Sequence, residues 1–468
     1  MRNANVPKWR NWQTHLTQNQ AGLRSCRFES GLRHHAITLH NESCGAFFVY
    51  TVKICEVLIM SLRSDAQKII NYALQQVLPD KAVASVLQNH YLPEGRLFVI
   101  AVGKAAWQMA HAASTILKNK ITQGIVITKA GHVQGNLPNF KCLEGGHPVP
   151  DDRSYAATKT VIEMLKELTE NDEVLFLLSG GGSALFEYPL LNVQELENIT
   201  QQLLACGANI KEINTLRKRF SGVKGGRFAK ACAPAKVYSI ILSDVLGNQP
   251  DMIASGPTCA DTTTCVEASA ITKKYNLKLS EQAQKLLAKE TPKKLSNSEV
   301  VITGSVSELC KVAAEKCKTL GYETIILTDS LDCEAREAGY LLGSIASYWS
   351  EQGKKRAFII GGETVVHLQG HGKGGRNQEL ALAAATKIIG LDNVLIFSVG
   401  SDGTDGPTDA AGGIVDGATC TKIAKSGKNA EAFLHNNDAY NALKNADGLI
   451  ITGPTGTNVN DVAVVLVE

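Results

Sequence analysis

The chain has 468 residues, 44% hydrophobic and 20% charged, with a formal net charge of +3. That length exceeds one ordinary hydrophobic core and predicts two or three domains of a soluble globular protein. Residues 1–59 hold seven Lys/Arg against three Asp/Glu, which leaves the rest of the chain at −1 and gives no footprint for nucleic acid. The twelve cysteines are scattered without C-x-x-C or zinc spacing, and read as buried free thiols in a reducing cytoplasm.

Residues 1–59 differ in pattern from the rest of the chain. Residues 1–35 carry no sustained apolar period, and the apolar stretch 45–60 is interrupted by Lys53 and Glu56. It falls short of the ~20 residues a spanning helix needs, so no membrane segment is expected. Residues 9–14 and 28–35 resemble translations read through bacterial transfer-RNA genes. The expectation is a disordered, non-native extension over 1–59 with the natural start at Met60; a genuine disordered or targeting arm is the alternative. From Met60 a helical pattern opens at once, with Ala66, Ile69, Ile70, Ala73, Leu74, Val77 and Leu78 on one face.

Residues 97–102 are a short apolar run that predicts a buried strand, followed by Gly103 and Lys104 and a helix-like stretch. A glycine turn with a lysine at a helix start suits an anion, though a solvated lysine is the other reading. The Walker A pattern is absent. After a strand at 125–128 and a turn-rich loop around His147, the run 175–178 ends in Ser179-Gly180-Gly181-Gly182-Ser183. Glycine permits φ > 0 and close approach, and the free N–H groups of such a turn favour an anion. His147 is either ligand-facing or structural.

Residues 214–227 open at Asn214 and are dense in cations, with Arg217, Lys218, Arg219, Lys224 and Arg227. Such a run is a solvated helix face or an anion site. A strand at 237–242 ends in Ser243-Asp244. Lysine-rich sequence over 260–297 replaces the glycine-punctuated pattern, which places a domain junction near 291–298. Strands at 300–302, 324–327 and 357–360 then alternate with helices near 313–320 and 334–347, predicting α/β units on a largely parallel sheet.

Glu363 follows the third of these strands. Gly370, Gly372 and Gly375 fit G-x-G-x-x-G before a helix that opens at Arg376-Asn377, with Lys373 and Arg376 adding charge. After a strand at 394–399, Asp402, Asp405 and Asp409 lie on a glycine-rich loop that suits a hard cation, without EF-hand spacing. A turn of small polar residues containing Asn458 leads to the last strand, 462–467.

These motifs, in this order from Met60 to Glu468, resemble the type II glycerate kinases (glycerate 2-kinases) with their C-terminal MOFRL module. The resemblance implies an α/β fold with a Rossmann-like αβα N-terminal domain over 60–295 and a smaller α/β domain over 296–468, with the active site in the cleft between them. It implies ATP-dependent phosphorylation of D-glycerate at the 2-hydroxyl with Mg²⁺. By the same resemblance Lys104 and Arg376 are catalytic, and Ser179–Ser183, Asn214, Arg217, Lys224, Glu363, Asn377 and Asn458 hold substrate or phosphate. Asp244, Asp402 and Asp405 are the metal candidates. Arg219-Phe220 stands where His-Leu is expected, and Asn248 where an aspartate is common, which leaves the metal carboxylate open. The alternative is an NAD(P)H-dependent hydroxypyruvate reductase using Gly370–Gly375. The oligomeric state is open, with a homodimer as the expectation.

Overall fold

The computed structural model describes residues 43–468 apart from 91, 92, 244, 246 and 248. Asp244 and the segment 1–42 therefore lie outside the described residues. Six strands form the first sheet: β1 Leu97–Val102, β2 Ile121–Lys129, β3 Phe140–Gly145, β4 Glu173–Leu178, β5 Lys236–Leu242 and β6 Ser298–Gly304. All neighbours are parallel, in the order β3-β2-β1-β4-β5-β6. That is the order of the doubly wound Rossmann sheet, whose direction of winding reverses between β1 and β4. Helices cover both faces, so β1 and β4 are buried along their whole length and read as unbroken apolar runs. Met109 and Ala110 of helix Ala106–Leu117 pack with Val99 and Leu175 on one face. On the other, Val161 and Phe228 pack with Ile100 and Phe176.

The second sheet contains β7 Glu323–Leu331, β8 Arg356–Gly362, β9 Val394–Gly400, β10 Gly412–Asp416, β11 Leu449–Ile450 and β12 Asp461–Val467, in the order β11-β10-β9-β12-β8-β7. Only β7 and β8 run parallel. The expected largely parallel sheet thus holds for the first half and not the second. β12 enters antiparallel between β8 and β9, its first residue, Asp461, opposite their last residues, Gly362 and Gly400, and β10 runs antiparallel to both β9 and β11.

The expected boundary near 295 also shifts. β6 bonds to β5 and completes the first sheet. The helix expected from Met60 runs Ser43–Gln76. Its Leu62, Ala66, Ile69, Ile70 and Ala73 pack on helix Val306–Thr319 and on Ile359, Phe397 and Val464 of the second sheet. Arg63 binds Asp416 through Nε at 2.8 Å and a terminal nitrogen at 2.5 Å. The lysine-rich stretch forms a satellite instead: Ile271 and Leu287 pack with Ile199 and Leu216. The nine cysteines from Cys142 to Cys420 are free; Cys232, Cys259, Cys310 and Cys317 are buried, but Cys206 and Cys333 are exposed. No helix among the described residues is long and apolar enough to cross a membrane.

Candidate active site

Two loops meet at the carboxyl ends of β1 and β4, the crevice where open α/β sheets take ligands. Gly103 has φ +121°, and a side chain there would collide with Ser179. The Lys104 N–H donates to Gly180 O at 2.9 Å, and the Ala105 N–H to Ser179 Oγ at 3.1 Å. Ser179 is buried and joins the two loops. The N–H groups of Gly180 and Gly181 find no acceptor among the described residues. The Lys104 side chain is half-buried, and its ammonium likewise has no described partner.

Two histidines gather there. His132 Nδ1 lies 3.2 Å from Lys104 O. Gly181 has φ +86°, and a Cβ on it would stand 3.0 Å from Cδ2 and Nε2 of His147 and 3.3 Å from Lys104 Cγ. Burial first, and then the charges of Lys104, Lys129 and His132, hold the His147 pKa below its ordinary value.

Other expected binding residues are braces. Lys224 is fully buried, and its Nζ donates to Ser183 O and Phe186 O, both at 2.9 Å, with Glu187 Oε2 at 3.4 Å. Burial pushes its pKa down. It supports the triple-glycine turn from below, so the expected ligand contact is corrected. Asn214 is buried and accepts from Ser255 Oγ at 2.9 Å. Lys218 meets Asp251 at 3.1 Å and Asp261 at 3.0 Å. Arg219 meets Glu290 at 3.0 Å, Thr291 Oγ1 and the carbonyls of Thr263 and Lys289. The unexpected arginine at 219 therefore ties distant loops together. Arg217 alone is half-buried without a partner among the described residues.

In the second half, Arg376 opens helix Arg376–Ala385 over the ends of β8, β9 and β12. Its Nε and one terminal nitrogen hold Asp461 at 2.5 and 3.1 Å, and the other terminal nitrogen is 3.2 Å from Glu363. Burial alone would lower its pKa; the bonded Asp461, with Glu363, holds it above the ordinary value. Asp405 is buried and accepts from the Asn377 N–H at 3.2 Å and the Gln378 N–H at 2.9 Å. Burial raises its pKa to about 6 against those donors. Asn377 is buried too, and accepts from Ser398 Oγ at 2.6 Å. Asn377 and Asp405 thus fix the helix start. Asp402 is half-buried, with Oδ1 accepting the Thr404 N–H at 2.9 Å and Oδ2 without a described partner. Asn458 is half-buried and turns its Oδ1 to the Asn460 N–H at 3.3 Å. Among the described residues no group of three or more His, Cys, Asp or Glu is placed to hold a metal.

The Gly370–Gly375 segment lacks the context a dinucleotide fingerprint needs. β8 ends at Gly362, well before it, and side chains on Gly370 or Gly372 would strike Asn436 and Asp438. Packing explains these glycines. With Glu363, Leu368, Arg376 and Pro407 they line a cavity of about 810 Å³. The two halves touch close to both loop clusters: a Cβ on Gly456 would stand 3.1 Å from Nε2 of Gln108, in the helix after Lys104. Thr457 Oγ1 donates to Val77 O at 3.0 Å.

Family profiles match a domain of unknown function, DUF4147, over residues 65–288 and the MOFRL family over 356–461. The chain is 49% identical over 413 residues to D-glycerate 2-kinase of Thermotoga maritima, covering 87% of this chain and 99% of that relative. It belongs to the glycerate 2-kinase family. Glycerate 2-kinase of Pyrococcus horikoshii is 39% identical over 438 residues, covering 88% of this chain and 98% of that one. The crystal structure of glycerate kinase from Thermotoga maritima matches with a TM-score of 0.85, covering 87% of this chain and 100% of that chain.

Within this glycerate 2-kinase fold, sequence reasoning missed three neighbours of the expected pair. Asp461 holds Arg376, His132 holds the Lys104 carbonyl, and Gln108 meets the turn before β12. Asp461 had a signal, an aspartate opening a buried strand behind an asparagine-rich turn; the other two had none.

Proposed function

We propose that this chain transfers the γ-phosphoryl group of ATP to the 2-hydroxyl of D-glycerate, giving 2-phosphoglycerate and ADP. The observation that carries the reading is the unpartnered, half-buried ammonium of Lys104 beside the free N–H groups of Gly180 and Gly181. Phosphoryl transfer passes through a loose transition state with charge on the transferring oxygens, so catalysis is positioning and charge stabilisation. Lys104 supplies charge to the transferring phosphoryl group. The N–H groups of Gly180 and Gly181 take the glycerate carboxylate. Arg376, oriented by Asp461, meets the phosphates when it leaves Glu363.

Mg²⁺ takes one or two carboxylates together with phosphate oxygens and water. Asp402, with one oxygen free among the described residues, fits that demand, and Asp244 is the second candidate. Held by Asp402, the ion would supply charge neutralisation at the phosphates. A cytoplasmic location and a homodimer belong to the same proposal; fractionation and light-scattering mass test them.

Incubation with ATP, Mg²⁺ and D-glycerate, followed by ³¹P NMR, tests the reaction. 2-Phosphoglycerate with equimolar ADP is expected. 3-Phosphoglycerate as product would overturn the regiochemistry. NADH oxidation with hydroxypyruvate in place of ADP formation would overturn the kinase reading.

A further inference from the structure

We propose that His147 is the group that takes the proton from the glycerate hydroxyl as it attacks ATP. The inference rests on the kinase reading above. The loop carrying His147 is held at its base: the Gly146 N–H donates to Asp151 Oδ1 and to Ser154 Oγ, both at 3.0 Å. Asp151 also caps helix Asp152–Met164 by accepting the Ser154 N–H. This bracing presents the imidazole to the triple-glycine turn, with Nε2 at 3.0 Å from where a Gly181 side chain would begin. The ring is half-buried, and neither of its nitrogens has a hydrogen-bond partner among the described residues. An oriented, half-buried and unpartnered imidazole is unusual for a structural histidine, which normally satisfies at least one nitrogen.

Its neighbours define the task. Lys104 Cγ and the imidazole both lie against the position a Gly181 Cβ would take, at 3.3 and 3.0 Å, and the N–H groups of Gly180 and Gly181 have no acceptor among the described residues. A glycerate whose carboxylate rests on those N–H groups places its 2-hydroxyl one carbon further on, toward the imidazole. The charged groups acting on His147 are Lys104, Lys129 and His132, all cationic when protonated. With burial they keep the ring neutral near pH 7, so it holds a lone pair for a proton.

The step balances. The hydroxyl oxygen forms the new O–P bond to the γ-phosphorus while the bond from phosphorus to the ADP oxygen breaks. The hydroxyl proton passes to His147, and the imidazolium, disfavoured beside Lys104, releases it to solvent. Little proton transfer is complete in a loose transition state, so the expected contribution is at the low end of general-base effects, about 10²-fold.

The test uses the full chain with ATP, Mg²⁺ and D-glycerate. His147→Gln keeps a polar side chain but cannot accept a full proton. It should lower kcat by about 10²-fold, leave the KM for ATP within about threefold, and remove the acid limb of the kcat–pH profile. His147→Asn should behave alike, and urea midpoints show whether either variant folds. In wild type, kcat should fall as pH drops through the histidine range; a flat profile from pH ~5 to 8 would overturn the role even if both variants fail to fold. A folded His147→Gln with unchanged kcat and an intact acid limb would overturn it as well. Wild-type protein that forms no phosphoglycerate would instead overturn the kinase reading, and this role with it.

Discussion

Lys224 Nζ donates to the carbonyl oxygen of Ser183 at 2.9 Å, which ties the cation-rich segment to the underside of the triple-glycine turn. With Phe186 O and Glu187 taking the remaining protons, the lysine has no donor left for a ligand. Lys224→Met keeps the stem but strands a buried glutamate and two carbonyls. The expected loss is on the order of 3–5 kcal/mol of stability, because breaking a buried pair leaves an uncompensated charge. Urea unfolding measures it. An unchanged midpoint with a much higher KM for glycerate would return Lys224 to the binding site.

Lys104 shows the opposite balance. Its ammonium bonds to nothing among the described residues, so Lys104→Ala should alter stability by no more than about 0.5 kcal/mol. If it stabilises charge on the transferring phosphate, kcat should drop about 10²-fold or more. A folded variant with near-wild-type turnover would remove it from the mechanism.

Lys104 and Lys224 also show how far the sequence could be read. Both follow or adjoin glycines, and both looked like anion sites. Only the fold puts one in the crevice and the other beneath it, since burial depends on helices far away in the chain. Strands were legible where both faces are covered: 97–102 coincides with β1, and 394–399 with all but the last residue of β9. β3, Phe140–Gly145, was missed because it is a partly exposed edge strand carrying Lys141 and Glu144. β10 was missed because two glycines open it. The strand β12 was legible but its antiparallel direction was not, because an alternating pattern counts strands and helices without the direction in which a strand enters. The glycine turns at Gly103 and Gly181, both at positive φ, were readable from local sequence. Asp461 as the partner of Arg376 was not, because 85 residues separate them.

The Arg376 fork grips both oxygens of Asp461 while its third nitrogen reaches Glu363. A lysine is a point charge and cannot hold this arrangement. Arg376→Lys should therefore lose about 10²-fold in kcat/KM although the charge is kept. Asp461→Asn should lose less, since the guanidinium stays but is less firmly aimed. Steady-state kinetics on both variants decides. Arg376→Lys at wild-type kcat/KM would mean that charge alone matters here.

The two central strands of the first sheet are clamped at the end opposite the site. Asp172, just before β4, is buried and accepts from Arg96, just before β1, through the backbone N–H at 2.8 Å and two side-chain nitrogens at 3.2 and 2.8 Å. The Thr169 N–H adds a bond at 2.7 Å. The Arg96 side chain first, helped by Thr169 and against the cost of burial, holds the Asp172 carboxyl well below the ordinary range. A carboxyl with a depressed folded pKa adds stability that is complete above its unfolded pKa and is lost as pH falls toward the folded value. Asp172→Asn should thus cost on the order of 2 kcal/mol at pH 7, by the worth of charge-assisted hydrogen bonds. The gap from wild type should narrow as pH drops below about 4, where the unfolded carboxyl takes its proton. Urea midpoints at pH 7 and near pH 3 measure both values. A gap of equal size at the two pH values would assign the clamp to shape and not to charge.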